Sequence, residues 1–364
     1  VTTGGEQAEK AERAAQAVQS ARPKQPERPG LAKRLADEAN YAVYAAGWAL
    51  VKKLPEPFAA RMFAAIGDWA WRRRGPRVLR LENNLRRLRP EATPEELSEL
   101  TRAGMRSYMR YWLESFRMPT WSRERIRDSF APTHVERLDD NMAAKRGVIL
   151  ALPHMGNWDL AGAWVAVRGY SFTTVAERLK PEKLFDRFVA YREGLGMTVL
   201  PLTGGANTLA AMSRTLRAGG LVCLVADRDL SESGVEVDFM GEPARMPGGS
   251  AALALSTGAA LLPVTLWYDE TSVMRGTVHE EIPVPAEGSR KEKIAAMTQA
   301  LADTWAESMR EHPQDWHMLS RFWPADVEPR PGAAGTAATP GSAGAARGDG
   351  SGDASADAAE ESRA

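Results

Sequence analysis

"RGVILALPHMGNWDLAGAW", residues Arg146 to Trp164, decides the class of fold. Val148 to Leu152 form a short run of β-branched and aliphatic side chains closed by Pro153, the pattern of a buried strand, and Asn157 to Val167 reads as the start of a helix. His154 and Asp159 then lie at a strand-to-helix turn. The carboxyl ends of strands are where α/β sheets bind ligands. A neutral imidazole there takes a proton from a hydroxyl, while a carboxylate holds its tautomer and stabilises the imidazolium that forms. A His-x4-Asp spacing leaves a second reading open, in which the histidine only caps or hydrogen-bonds a loop.

Outward from this stretch, "SFTTVAE", "MTVLPL", "GLVCLVAD", "VEVDF" and "AALLPVTLWY" repeat the theme of short apolar runs between helical segments. That alternation predicts an α/β core with a mixed central sheet flanked by helices. Toward the N-terminus, "LAKRLADEANYAVYAAGWALVKKLP", "PFAARMFAAIGDWAWRRR", "RVLRLENNLRRLRP" and "TPEELSELTRAGMRSYMRYWLESFRMP" read as helices, the last opened by a Thr93/Glu96 capping box. Both ends lack apolar residues able to form a core. The expected organisation is a disordered tail at 1–30, a helical membrane-associating region at 31–130, an α/β core at 131–329 and a disordered tail at 330–364.

The 364 residues carry no formal net charge, yet residues 31–120 hold 17 Lys and Arg against 10 Asp and Glu. A basic N-terminal third in a neutral chain points to an anionic surface as partner. Tyr41 to Val51 mix aromatics with small apolar residues and end at Lys52 and Lys53, which suits a helix in a membrane interface and equally a helix packed on the domain. The arginines at 72, 73, 74, 77, 80, 86, 87 and 89 read as a solvated face or as an anionic-lipid contact. With no zinc-finger or RNA-recognition motif beside them, nucleic acid is not expected. The lone Cys223 excludes an internal disulfide and a cysteine zinc cluster, and the five histidines show no His-x3-His spacing. No metal or other cofactor is therefore expected. No charge-free apolar stretch reaches 18 residues, and the first residues lack a signal-peptide hydrophobic region. A reducing cytoplasmic compartment is expected, with neither a conventional membrane span nor secretion.

A second group of polar residues follows "GLVCLVAD": Asp227, Arg228 and Asp229 close another strand. Asp227 faces the same sheet edge as His154 if the two strands are neighbours, and otherwise belongs to a surface turn. Pro247, Gly248, Gly249 and Ser250 precede a helix whose free N–H groups suit a phosphate or an oxyanion, although glycines before a helix are also common for purely local reasons. Glu177, Arg178, Lys180, Arg187 and Arg192 lie between the two groups, with cations that suit a phosphate-rich donor such as acyl coenzyme A and equally an ordinary surface helix, the commoner cause. Tyr108, Tyr111, Trp112 and Phe116 follow helical spacing and read as core, or as part of an acyl pocket.

"LALPHMGNWD", "TTVAERLKPEKLFDRFVAYRE", "VLPLTGG", "ADRDL", "GVEVDFMGEPARMP" and "HPQDWHML", in this order between about Tyr41 and Trp323, resemble the actinobacterial phosphatidylinositol mannoside acyltransferases of the lipid A acyltransferase-like group. The resemblance implies a peripheral enzyme on the cytoplasmic face of the plasma membrane that moves a fatty acyl chain, typically palmitoyl, from acyl coenzyme A. The acceptor it implies is the 6-hydroxyl of the mannose on the inositol 2-position of a phosphatidylinositol mono- or dimannoside. The family's base falls on His154 and the carboxylate of its His-x4-Asp motif on Asp159. A second acidic residue, usually Glu, falls on Asp227, whose shorter side chain must still reach the imidazole directly or through water. Donor contacts fall on Arg192 and Ser233 beside His154, and Ser256 stands where the family has glutamate. His317 matches too, with Trp316 and Met318 marking a packed corner of the core.

No nucleophile elbow is present, so direct transfer without an acyl-enzyme is expected. Two alternatives share the scaffold: a lipid A-type acyltransferase with another glycolipid acceptor, and a lipid-binding protein that has lost catalysis.

Overall fold

The computed structural model describes residues 47–176, 182–201, 206–229, 234–271 and 273–326. The expected tails at 1–30 and 330–364, the first helical stretch as far as residue 46, and Glu177, Arg178, Lys180 and Ser233 lie outside the described residues. The chain divides into two compact units, Val1–Ala46 and Gly47–Ala364. Everything described belongs to the second.

After a helical segment at 47–53, three helices follow: α1 (Glu56–Arg73), α2 (Pro76–Leu88) and α3 (Pro94–Arg117). All three carry proline in the first helical turn, where its missing N–H costs no bond. The Thr93/Glu96 capping box is present at the start of α3. In the preceding segment, Trp48 and Val51 are buried and the Trp48 indole donates to the Phe116 carbonyl, so this part packs on the body while Leu50 stays exposed. The arginine run is only partly a solvated face. Arg87 pairs with Asp326 and Glu242, and Arg74 and Arg86 meet Glu82.

Then come α4 (Arg123–Asp128), β1 (Phe130–Thr133), α5 (Glu136–Ala143), β2 (Val148–Leu152), α6 (Trp158–Val167), β3 (Phe172–Ala176), α7 (Glu182–Gly194), β4 (Met197–Pro201), α8 (Ala206–Arg217) and β5 (Leu221–Val225). A hairpin of β6 (Val235–Phe239) and β7 (Glu242–Met246) leads to α9 (Gly249–Thr257), β8 (Ala260–Tyr268), β9 (Met274–Val278) and α10 (Arg290–Glu311). Seven strands form a mixed sheet in the order β1-β9-β8-β2-β5-β3-β4. All neighbours in it are parallel except β8 and β9. The expected α/β class with a mixed sheet is therefore observed. The strands not foreseen are β1, β7 and β9, whose sequences FAPT, EPARM and MRGTV carry prolines, arginines or a glycine in place of an apolar run.

β2 lies near the middle of the sheet with all five residues buried, as a strand covered on both faces must be. Ile149 and Ala151 pack into a core shared with Trp305 of α10 and Ala251 of α9, whereas Val148, Leu150 and Leu152 pack with Leu160 and Trp164 of α6. Among the described residues, no helix is long and apolar enough to cross a membrane.

Candidate active site

The end of β2 runs into a tight turn, Pro153 to Asn157. Gly156 sits at φ +58°, and a Cβ there would come within 2.9 Å of Leu266, so the turn requires glycine. Asn157 caps α6, its side-chain oxygen accepting from the Leu160 N–H, while its amide donates to Glu114 of α3. His154 is thereby carried to the sheet edge before the helix begins.

β5 pairs in parallel register with β2, Leu152 opposite Val225, and the Ala226 N–H donates to the Leu152 carbonyl. That register puts Asp227 beside His154. Its Oδ1 lies 2.5 Å from His154 Nδ1, and its Oδ2 accepts from the His154 backbone N–H at 3.0 Å and from the Trp316 indole at 3.0 Å. The shorter aspartate thus reaches the imidazole directly. Asp227 is fully buried, which disfavours its charge, yet His154 and the Trp316 N–H hold its pKa below the usual carboxylate value. A carboxylate only accepts, so Nδ1 carries a proton, and in a neutral ring the lone pair is left on Nε2. The imidazole is 29% exposed, enough for a hydroxyl to approach. Trp158 packs edge-on against it, ring centres 5.3 Å apart.

Asp159 does something else. The expectation that the carboxylate five residues along holds the imidazole is not met, because no hydrogen bond joins Asp159 to His154. Instead Asp159 accepts from Arg192 Nε at 2.8 Å and from the Tyr111 hydroxyl at 3.1 Å. The physical reason is helical geometry: Asp159 lies in the first turn of α6, pointing toward α3 and α7, while His154 lies before that helix at the strand end. Burial alone would lower the Arg192 pKa, but Asp159 raises it above its ordinary value. Arg192 is thus committed to Asp159 in this structure, although it had been expected to touch a donor. Ser233 lies outside the described residues, and the Ser256 hydroxyl donates within α9 to the Leu253 carbonyl.

The glycine-rich start of α9 packs against Val235 and Ile294, on the sheet face opposite α6. Cys223 is a half-buried thiol whose pKa desolvation pushes up, as befits a structural side chain. Arg187 stacks over the Trp48 ring. Among the described residues, no three His, Cys, Asp or Glu side chains gather as a metal site.

A further cluster lies behind His154. The Ser107 hydroxyl bridges Asp315 Oδ1, at 2.5 Å, and His317 Nε2, at 2.9 Å, and the Tyr268 N–H donates to Asp315 Oδ2. Burial raises the Asp315 pKa to about 6 and lowers that of His317 to about 3, with His154 adding to the latter. Tyr111 stacks on Trp158 with ring centres 4.2 Å apart, so its aromatic set forms the wall behind the site. Sequence reasoning missed Ser107, Glu114, Asp315 and the Trp316 indole as parts of this site. The one signal for the last two was "HPQDWHML", which gives residue types but not what they face.

An apolar cavity opens between α6 and the sheet, lined by Leu150, Leu152, Trp158, Cys223, Val225 and Phe172. Trp158 forms a wall of both the cavity and the histidine site.

Residues 32–324 match the bacterial lipid A biosynthesis acyltransferase family. The chain is 45% identical over 286 residues to a phosphatidylinositol mannoside acyltransferase of Mycolicibacterium smegmatis, covering 78% of this chain and 91% of that one. It is 46% identical over 290 residues to the enzyme of the same name from Mycobacterium tuberculosis, covering 78% of this chain and 88% of that one.

Proposed function

Because the chain belongs to the bacterial lipid A biosynthesis acyltransferase family and is an acyltransferase, we propose that it moves a fatty acyl group from acyl coenzyme A to a phosphatidylinositol mannoside. The hydroxyl we assign is the 6-hydroxyl of the mannose on the inositol 2-position. The observation that carries the chemistry is the buried Asp227 carboxylate on His154 Nδ1, which leaves Nε2 free at the accessible end of the strands. The family match and the names of the relatives support the acceptor class.

In the proposed step, the mannose oxygen attacks the thioester carbonyl carbon while His154 Nε2 takes the hydroxyl proton. A general base of this kind contributes about 10²–10⁴-fold. Asp227 stabilises the imidazolium. The tetrahedral intermediate collapses with cleavage of the carbon–sulfur bond, and the coenzyme A thiolate takes the proton from His154. The acyl chain lies in the apolar cavity behind Trp158. This scheme passes through no acyl-enzyme and calls on no metal.

The glycolipid sits in a membrane, and the proposed docking face is on the N-terminal helices. Leu50, Phe58, Ile66 and Trp69 are exposed, and Arg73 lies over the Trp69 ring. Exposed aromatics beside arginines suit the interface of an anionic bilayer. We place the protein there as a peripheral protein on the cytoplasmic face, where acyl coenzyme A is available.

The test is purified protein with palmitoyl coenzyme A and phosphatidylinositol dimannoside in anionic vesicles, following thiol release and the acylated lipid by mass spectrometry. Transfer that is lost in His154→Ala supports the reading. Thiol release without acylated lipid overturns the acceptor, and an acyl adduct on the intact protein overturns direct transfer.

A further inference from the structure

The strand register accounts for two of the three hydrogen bonds to Asp227, and the third comes from a distant part of the chain. Residues 315–317 return alongside the His154 turn as a very short antiparallel pair. Met155 is bridged to Trp316, the Gly156 N–H donates to the Asp315 carbonyl at 2.9 Å, and the His317 N–H donates to the His154 carbonyl at 2.7 Å. The side chain between those two bonds is Trp316. Its indole is fully buried among Phe239, Phe322 and Trp323, and its N–H ends on Asp227 Oδ2.

We propose that Trp316 is a positioning residue for the His154–Asp227 pair, setting the orientation of the carboxylate relative to the imidazole. One short segment then references both members: its backbone holds the carbonyl of His154, and its indole holds the far oxygen of Asp227. With Oδ2 occupied by two N–H donors, rotation of the carboxylate is blocked and Oδ1 stays on Nδ1. The segment is itself anchored, since Asp315 is held by Ser107 of α3 and by the Tyr268 N–H at the end of β8. The aromatic packing alone requires a large ring at 316, and only the bond to Asp227 requires an N–H. The donor also offsets part of the cost of a fully buried charge. This inference rests on the reading of His154 as the base.

The experiment compares wild type, Trp316→Phe, Asp227→Asn and the double variant in the acyl-transfer assay above, together with the proton spectrum of His154 Nδ1–H. A second replacement at 316 puts 3-benzothienylalanine there, which keeps the shape of indole with sulfur in place of N–H and covers the case in which phenylalanine fails to fold. The expected result is a kcat about tenfold lower at unchanged KM for both substrates. The same substitution should cost less than about twofold when Asp227 is already Asn, because the two act as a unit. The far-downfield Nδ1–H resonance moves upfield in both replacements at 316. An unchanged kcat and resonance, or an equal loss in the wild-type and Asp227→Asn backgrounds, overturns the proposal. Should wild type fail to transfer from palmitoyl coenzyme A, the proposed reaction fails, and the resonance still decides for or against Trp316.

Discussion

Two buried carboxylates lie near one histidine and take different partners. Asp227, 73 residues from His154 in sequence, holds its imidazole, while Asp159, five residues away, holds Arg192 and Tyr111. Sheet register explains the first pairing and helix phase the second. A residue on the neighbouring parallel strand at the same level faces the same sheet edge, whereas a residue in the first turn of the following helix has rotated toward whatever packs on that helix. Proximity in the chain is therefore a poor guide to which acid serves a base at a strand end.

The largest expected effect falls on the histidine itself. His154→Ala should lower kcat by about 10²–10⁴-fold, the range of a lost general base, and should lower the melting temperature too, because it takes the partner from Oδ1 of the fully buried Asp227 carboxylate. Asp227→Asn comes next, at about 10²–10³-fold. The amide can turn an N–H toward Nδ1 and so favour the wrong tautomer, as in hydrolase triads whose aspartate is replaced. Both are read by initial rates of lipid acylation. If Asp227→Asn retained full kcat, the division of labour drawn above would collapse.

Asp159→Asn sharpens the contrast from the other side. It removes the charge partner of Arg192 in a largely buried pair and should cost about 3 kcal/mol of stability, seen as a lower urea midpoint. The molecules that remain folded should keep a kcat far closer to wild type than those of Asp227→Asn. The reverse pattern, with kcat lost and stability kept, would show that Asp159 acts in the reaction.

How much of this was legible follows from the same contrast. The β2 strand and α6 helix could be read because an unbroken apolar run and an N-cap are local signals. Asp227 could be placed at a strand end, and only the adjacency of β2 and β5 was missing. The Asp159–Arg192 pair was not legible because it depends on where α7 docks, 33 residues further on, and the Trp316 bond spans 89 residues. The edge of the fold fared worst, since β1 and β9 carry proline, glycine and arginine where apolar side chains would have announced a strand. Packing by other parts of the chain, not local propensity, makes those segments extended.

The prediction furthest from the chemistry concerns the cluster behind the dyad, where an acid and a base shift in opposite directions. Burial holds the His317 pKa at about 3 in the fold against an ordinary 6.5. As pH falls from about 6.5 toward 3, the unfolded chain binds a proton there that the folded one refuses, so His317 draws stability down on acidification. Asp315 shifts the other way, from 3.8 up to about 6. Its folded form keeps a proton that the unfolded chain releases, so its contribution is complete below about 3.8 and is lost as pH rises through 6. The two slopes oppose each other over much of the same window, each at most about 1.4 kcal/mol per pH unit. His317→Gln leaves the Asp315 slope uncancelled. Urea titrations between pH 4 and 7 (a window bounded by these two groups) should show the variant gaining stability relative to wild type as pH falls, and Asp315→Asn should show the opposite trend. Parallel curves for wild type and His317→Gln would mean that the buried imidazole takes up its proton as readily in the fold as outside it, and would overturn the opposed slopes.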